Sequence, residues 1–290
     1  MRPTHILMYI TAVLSISSAS ILVLLSGAVA AACAFWRLLI ASIILLPFYL
    51  LRRRGTVLSS EGHVVNYLFI VIAGTSLGMH FTLWMDSLFR LPVIVSTTIV
   101  VTYPIYAYIF EILIFKVKFR YTDILGMLIA FTGILLYFHE ALNIGIVDLL
   151  GVIESFIASV LAAIYFFIGR FIRLRTGLLT YVIPTYIVGA AAVVPYSIIT
   201  NANITNYPVA TWIYFALLAL IPMIGGHTIM NYLLKFYSSY VVSSIAFLEP
   251  IGASLLALLI LNQVPKIEHV IATPLVLCGV ALVLRSASES

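Results

Sequence analysis

Charge is what this sequence has least of. Only 9% of its 290 residues are Asp, Glu, Lys or Arg, where an ordinary soluble domain carries about 25%. A soluble surface of that size cannot be built from so few charges. Cysteine is almost absent as well. Cys33 and Cys278 lie in apolar runs and read as small hydrophobes, so neither a disulfide framework nor a metal site is expected. A Walker loop and a Gly-rich nucleotide site are missing, so no cofactor is expected, and ATP-driven transport would need a partner to supply the engine. Paired intramembrane Asp, His-Glu-x-x-His and Ser-base spacings are missing too, which argues against an intramembrane enzyme. The net charge of +5 comes from basic residues scattered over separate short segments. They form no continuous patch, so a nucleic-acid partner is not expected.

What is present is apolar sequence. Hydrophobic residues make up 63% of the chain and the mean hydropathy is +1.19. The bilayer is the solvent that suits this composition. Apolar segments fall at roughly 6–25, 33–51, 65–86, 92–113, 122–138, 149–169, 178–199, 209–231, 238–261 and 269–285. A span needs about 20 residues, so these predict ten membrane helices. Their length and lack of alternation argue against barrel strands. Distributing the basic residues with the N-terminus inside puts twelve on the inner side and two, Arg90 and Lys266, outside, with Arg37 inside a helix. The positive-inside rule then predicts both termini in the cytoplasm.

A constant offset of 146 aligns the two halves without a gap. It carries Pro104 to Pro250, Gly133 to Gly279, Ala107 to Ala253 and Ala12 to Ala158. With five helices per half, the second half enters the membrane the other way up, an inverted repeat of the kind secondary transporters use. The expected units are 1–146 and 147–290. The N-terminal segment ending in "SGAVAAACA" imitates a cleavable secretory signal. Removing it would leave the sixth helix without its repeat partner, so retention is expected.

Three stretches carry a resemblance: "FWRLLIASIILLP", "GTSLGMHFTLWMDSLFRLPVIVSTTIVVTYPIYAYIFEILIF" and "AFLEPIGASLLALLILNQVPKIEHVIATPLVLCGVALVL". With them the whole chain resembles the EamA-type ten-helix exporters of the drug/metabolite transporter superfamily. It departs from that family at Gln263, where Glu is common, and at Ala272, where Gly is usual. The resemblance implies a central cavity between the halves and export of amino acids or other small metabolites, often proton-coupled, across the plasma membrane. Helices three and four line the cavity in that family, which makes Trp84, Tyr103 and Tyr106 candidates to stack on a substrate.

Glu249 and Pro250 interrupt the apolar run "SSIAFLEPIGASLLALLI". Eleven residues into its helix, Glu249 lies about 16 Å deep, where an ionised carboxylate costs at least about 2.5–3.5 kcal/mol. Pro250 removes a backbone donor and bends the helix. Together they fit a bend lining a water-filled cavity, with Glu249 as a proton or substrate-amine site. A protonated Glu that merely holds the kink fits as well. The repeat position holds Tyr103 and Pro104, so the bend recurs and the carboxyl does not. His80 and His227 are relay candidates, or hydrogen-bonded structural histidines, and are not symmetry mates. Asn231, Ser243 and Ser244 offer neutral hydrogen bonds. Glu154 is expected to reach the outer interface, with a substrate amine as the other option. Glu111 is expected to pair with Lys116 or snorkel, Asp86 to pair with Arg90, and Arg37 to anchor at the outer interface. Gly126-x-x-x-Ala130 permits close helix approach, either in a homodimer or within one chain. Asn203-Ile204-Thr205 is a glycosylation sequon. Two readings remain beside the metabolite exporter: an antiporter of nucleotide sugars or phosphorylated metabolites, which would want several buried Lys or Arg, and a passive channel.

Overall fold

Ten helical spans make up the computed structural model, which describes residues 2–54, 67–118, 120–137, 148–261 and 267–286. We number them α1 (Pro3–Ser17 and Ala19–Ser26), α2 (Ala30–Arg54), α3 (Tyr67–Arg90), α4 (Val93–Val100 and Tyr103–Phe115) and α5 (Tyr121–Tyr137). The second half follows as α6 (Leu149–Arg173), α7 (Leu178–Ile199), α8 (Val209–Leu233), α9 (Ser239–Leu261 in three pieces) and α10 (Ile267–Ser286). Seven are long and apolar enough to cross a membrane, and α5, α9 and α10 contain shorter apolar helices. Large apolar side chains cover the outside of the bundle, with Leu7, Ile199 and Leu259 66–81% exposed. That surface is stable only against lipid.

The offset of 146 carries Pro3 to Leu149, Tyr103 to Glu249, Phe115 to Leu261 and Tyr121 to Ile267, each the first or last residue of a helix piece. Packing repeats in the same way. α3 lies against α6 and α7, α8 lies against α1 and α2, and α5 pairs with α10 across the pseudo-twofold. The halves are therefore interleaved, and neither buries its apolar faces alone. Gln263, Lys266 and the expected boundary at 146–147 lie outside the described residues.

Helix breaks follow local chemistry. α4 stops at Val100 and restarts at Tyr103 with Pro104 in its first turn, where a missing N–H does no harm. α9 runs from Ser239–Ser243 through a 3-10 stretch, Ser244–Leu248, and restarts at Glu249 with Pro250 next. α8 widens into a π-helix over Ala219–Thr228 around Pro222, as expected where a ring displaces a carbonyl. Hydropathy gave no sign of this widening.

Glycine sets the closest crossings. A Cβ on Gly78 would strike the carbonyl of Gly189, so α3 and α7 touch backbone to backbone there. Gly126 and Ala130 meet Gly279 in the same way, which uses the small-residue face of α5 inside the chain rather than for a homodimer. α1 crosses α8 at Gly225 and Gly226 and α9 at Gly252, with Ser15 and Ser17 filling the gaps.

Candidate functional site

The cavity lies where the two halves meet. Ile16 and Ala19 come from α1, Arg37 from α2, and His80, Phe81 and Trp84 from α3. Val100 and Tyr103 flank the break in α4, Pro222 and His227 belong to the widened part of α8, and Glu249 starts the last piece of α9. Its empty volume is about 380 Å³ including space open to solvent, but only about 30 Å³ admits the centre of a water-sized sphere. That is room for two or three waters (each needs ~10–15 Å³). This conformation is constricted, and a metabolite would enter only if the walls parted.

Glu249 is 8% exposed and faces this space. Its own backbone N–H is bonded to the Ala246 carbonyl, so the 3-10 stretch runs directly into the last piece of α9 at this residue. Trp84 and Tyr103 line the cavity. Trp84 stacks on His80, with ring centroids 6.4 Å apart, and Tyr103 stacks on Phe166 at 5.5 Å. His80 and His227 both reach the cavity although the offset does not relate them. His80 Nδ1 hydrogen-bonds the Ala158 carbonyl at 2.8 Å, and His227 meets Phe81 edge to face at 4.9 Å.

Other candidates lie elsewhere. Tyr106 packs its ring on Phe156 at 5.9 Å and is not among the residues that line the cavity. Ser243 and Ser244 donate to the carbonyls of Tyr240 and Val241 in their own tight turn, and Ser244 also meets the Tyr9 hydroxyl at 2.9 Å. Asn231 donates to the Tyr165 hydroxyl and the His227 carbonyl, holding α6 to α8. These polar groups satisfy backbone and neighbours, the common fate of Ser and Asn in helices.

Four charge assignments are corrected. Arg37 does not reach an interface. α2 begins at Ala30, earlier than the apolar run suggested, so Arg37 lies about two turns in. It is fully buried and its guanidinium lies 3.8 Å over the Phe81 ring. Glu154 is buried and forms an ion pair with Arg90 Nε at 3.2 Å, so it neither snorkels nor faces the cavity. Asp86 accepts from the Tyr196 hydroxyl at 2.7 Å, while Arg90 turns to Glu154 and Asp148. Glu111 is buried and accepts from the Ser239 N–H at 2.5 Å, capping α9 across the repeat boundary instead of pairing with Lys116.

Glu111 belongs to a layer of bonds at the end of the bundle that carries the N-terminus. His5 bonds Tyr237 at 2.8 Å, and Tyr240 donates to buried Asp123 at 3.0 Å. Arg170 and Arg173, two of the twelve basic residues assigned to the inner side, donate to the carbonyls of Leu234 and Asn231 at the end of α8. This is cation placement that a helix C-terminus favours. Asp123 was not singled out by sequence, since one acid after a basic loop looks solvated. Capping predicts that Glu111→Ala lowers stability by about 1–2 kcal/mol. Thermal unfolding of the purified protein in detergent checks this, and an unchanged midpoint would remove the cap from the account.

At the outer end, Trp36 donates to the Ile204 carbonyl at 2.6 Å, and Asn203 is exposed with its side chain accepting from the Thr205 and Asn206 N–H groups. Among the described residues no His, Cys, Asp and Glu cluster has the makings of a metal site.

The chain belongs to the EamA-like transporter family, which it matches over residues 4–139 and 149–285, once per half. It is therefore a multi-pass integral membrane protein of a transporter family. A solved structure described only as the crystal structure of a protein is similar over 99% of this chain and 100% of its own, with a TM-score of 0.80 at 18% identity. That likeness establishes the fold alone. No curated protein matches.

Proposed function

We propose that the chain is a secondary active transporter that exports small metabolites, such as amino acids, across the plasma membrane by alternating access. Transport is proton-coupled or facilitative, and the end bearing the termini faces the cytoplasm. The observation that carries this reading is the cavity at the junction of two inverted halves, bounded by the breaks in α4 and α9, with Glu249 as the first residue after the break. Broken helices whose ends point into a midplane cavity suit a gate, because each piece can tilt without losing internal hydrogen bonds. The cytoplasmic orientation rests on the basic residues and the positive-inside rule.

The antiporter of phosphorylated metabolites gains one observation, the presence of Arg37 in the cavity. It loses on number, because no Lys and no second Arg stand among the cavity-lining residues, whereas phosphate binding sites generally bring several cationic or N–H donors together. Extracellular metabolite profiling separates the two. Cells making the wild-type chain are expected to accumulate one or a few small zwitterionic metabolites outside, compared with cells carrying an empty vector. Release of a phosphorylated compound instead would favour the antiporter, and identical profiles for the two cell lines would count against export.

A further inference from the structure

Arg37 poses a problem that the fold does not solve. It is fully buried, and none of its three guanidinium nitrogens has a hydrogen-bond partner among the described residues. A guanidinium carries five N–H donors, and removing an unpaired ion from water costs several kcal/mol. The same bundle shows how a structural arginine is treated. Arg170 and Arg173 are both tied to backbone carbonyls. Arg37 has only the Phe81 ring beneath it. A cation over an aromatic face is stabilised through that face, and the in-plane N–H edges are left unused.

Four of the buried or half-buried carboxylates have partners other than Arg37. Glu111 accepts from Ser239, Asp123 from Tyr240 and Asp86 from Tyr196, and Glu154 pairs ionically with Arg90. Glu249 shares the cavity, yet both ion pairs within 4.0 Å among the described residues belong to Arg90. The repeat adds a second argument. The offset of 146 puts Ile183 opposite Arg37, and Ile183 is buried and apolar. The fold thus manages without a cation at that position in its other half.

We propose that Arg37 is the specificity-determining residue that takes the carboxylate of the transported molecule. The planar fork of a guanidinium matches a carboxylate through two parallel hydrogen bonds, and Phe81 holds the fork flat beneath it. A single guanidinium suits one carboxylate better than a phosphate or diphosphate. The carboxylate enters where the cavity now holds water-sized space, once the pieces of α4 and α9 part. The inference rests on the transport reading and adds the chemical handle by which substrates are chosen.

The test uses the purified full chain in lipid nanodiscs and reads ligand-induced shifts in thermal unfolding. The probes are the twenty proteinogenic amino acids, with pyruvate and lactate as acids that lack an amine. Each stabilising acid is compared with its primary amide, or with its decarboxylated amine. The expected result is that at least one acid stabilises the wild type and that its amide binds at least about tenfold more weakly. Arg37→Gln should lose the difference between acid and amide, and Arg37→Lys should keep part of it. The amide comparison needs no variant, so a poorly folding Arg37→Gln does not remove the test. Equal binding of acid and amide overturns the proposal. So does stabilisation by none of the acids, or by inorganic phosphate alone. Export in the profiling experiment without acid recognition sinks this inference and leaves the transport reading standing. Acid recognition without export counts against the export reading and leaves Arg37 a carboxylate-binding residue only.

Discussion

Glu249→Gln is expected to cut pH-gradient-driven flux in proteoliposomes by roughly tenfold or more, equivalent to at least about 1.4 kcal/mol, while leaving the folded state intact. Gln keeps the shape and the hydrogen-bonding capacity of Glu but cannot release a proton. The position favours a working role over a structural one. Glu249 is buried, lines the cavity, starts a helix piece, and has Tyr103 as its repeat mate. If it only braced the bend, removing its charge from an apolar setting would be neutral or stabilising, and flux would be unaltered. The discriminating pair of measurements is therefore flux against the pH gradient and the unfolding midpoint of the same preparation. Loss of flux with an unchanged or higher midpoint supports proton handling. Unchanged flux, whatever the midpoint, would leave Glu249 a structural group and make the transporter facilitative or driven elsewhere.

The second large effect is on stability. Gly279→Val is expected to destabilise the protein by about 3 kcal/mol or more, the upper end for overpacking, and to leave little folded protein in the membrane. A Cβ at Gly279 would lie 2.5 Å from the Gly126 carbonyl oxygen and 2.7 Å from Ala130 Cα, and closer still to the Ala130 amide. These are backbone atoms, so no rotamer change relieves the clash and α5 and α10 must separate. Because that pair joins the two halves across the pseudo-twofold, separation undoes the interleaving. Cys278→Val is the control, one residue away but exposed on the outer face, with an expected effect within about 0.5 kcal/mol. Yield and unfolding midpoint of both variants check the claim. A Gly279→Val protein that melts like the wild type would mean that α5 and α10 are not in backbone contact.

Cavity residues were only partly legible in the sequence. Glu249 and its proline stood out because a charge and a helix breaker are both costly in an apolar run. Trp84, Tyr103, His80 and His227 reached the cavity as candidates. Arg37 was misread, because depth was judged from where hydropathy rises, and α2 starts before that point, at Ala30. Tyr106 was misplaced because a run of aromatics on one helix does not say which of them faces in. Glu111 and Asp86 were matched with neighbours five and four residues along the chain, and Glu154 was assigned to the outer interface. Their partners come from other helices, and a one-dimensional reading cannot rank those.

By itself the sequence determined the solvent, the number of spans, the inverted repeat and the family resemblance. These follow from composition, from run length against bilayer thickness, and from glycines and prolines that recur at one offset, all properties that accumulate along the chain. Tertiary structure alone decided which charged groups are satisfied and which are left open. It tied Glu111, Glu154, Arg170 and Arg173 to partners brought from distant segments, and it left the Arg37 guanidinium and Glu249 facing one cavity without a direct pair. The physical reason is that pairing energy depends on distances of a few ångströms between helices, and the crossing of small residues sets those distances only once the two halves have interleaved.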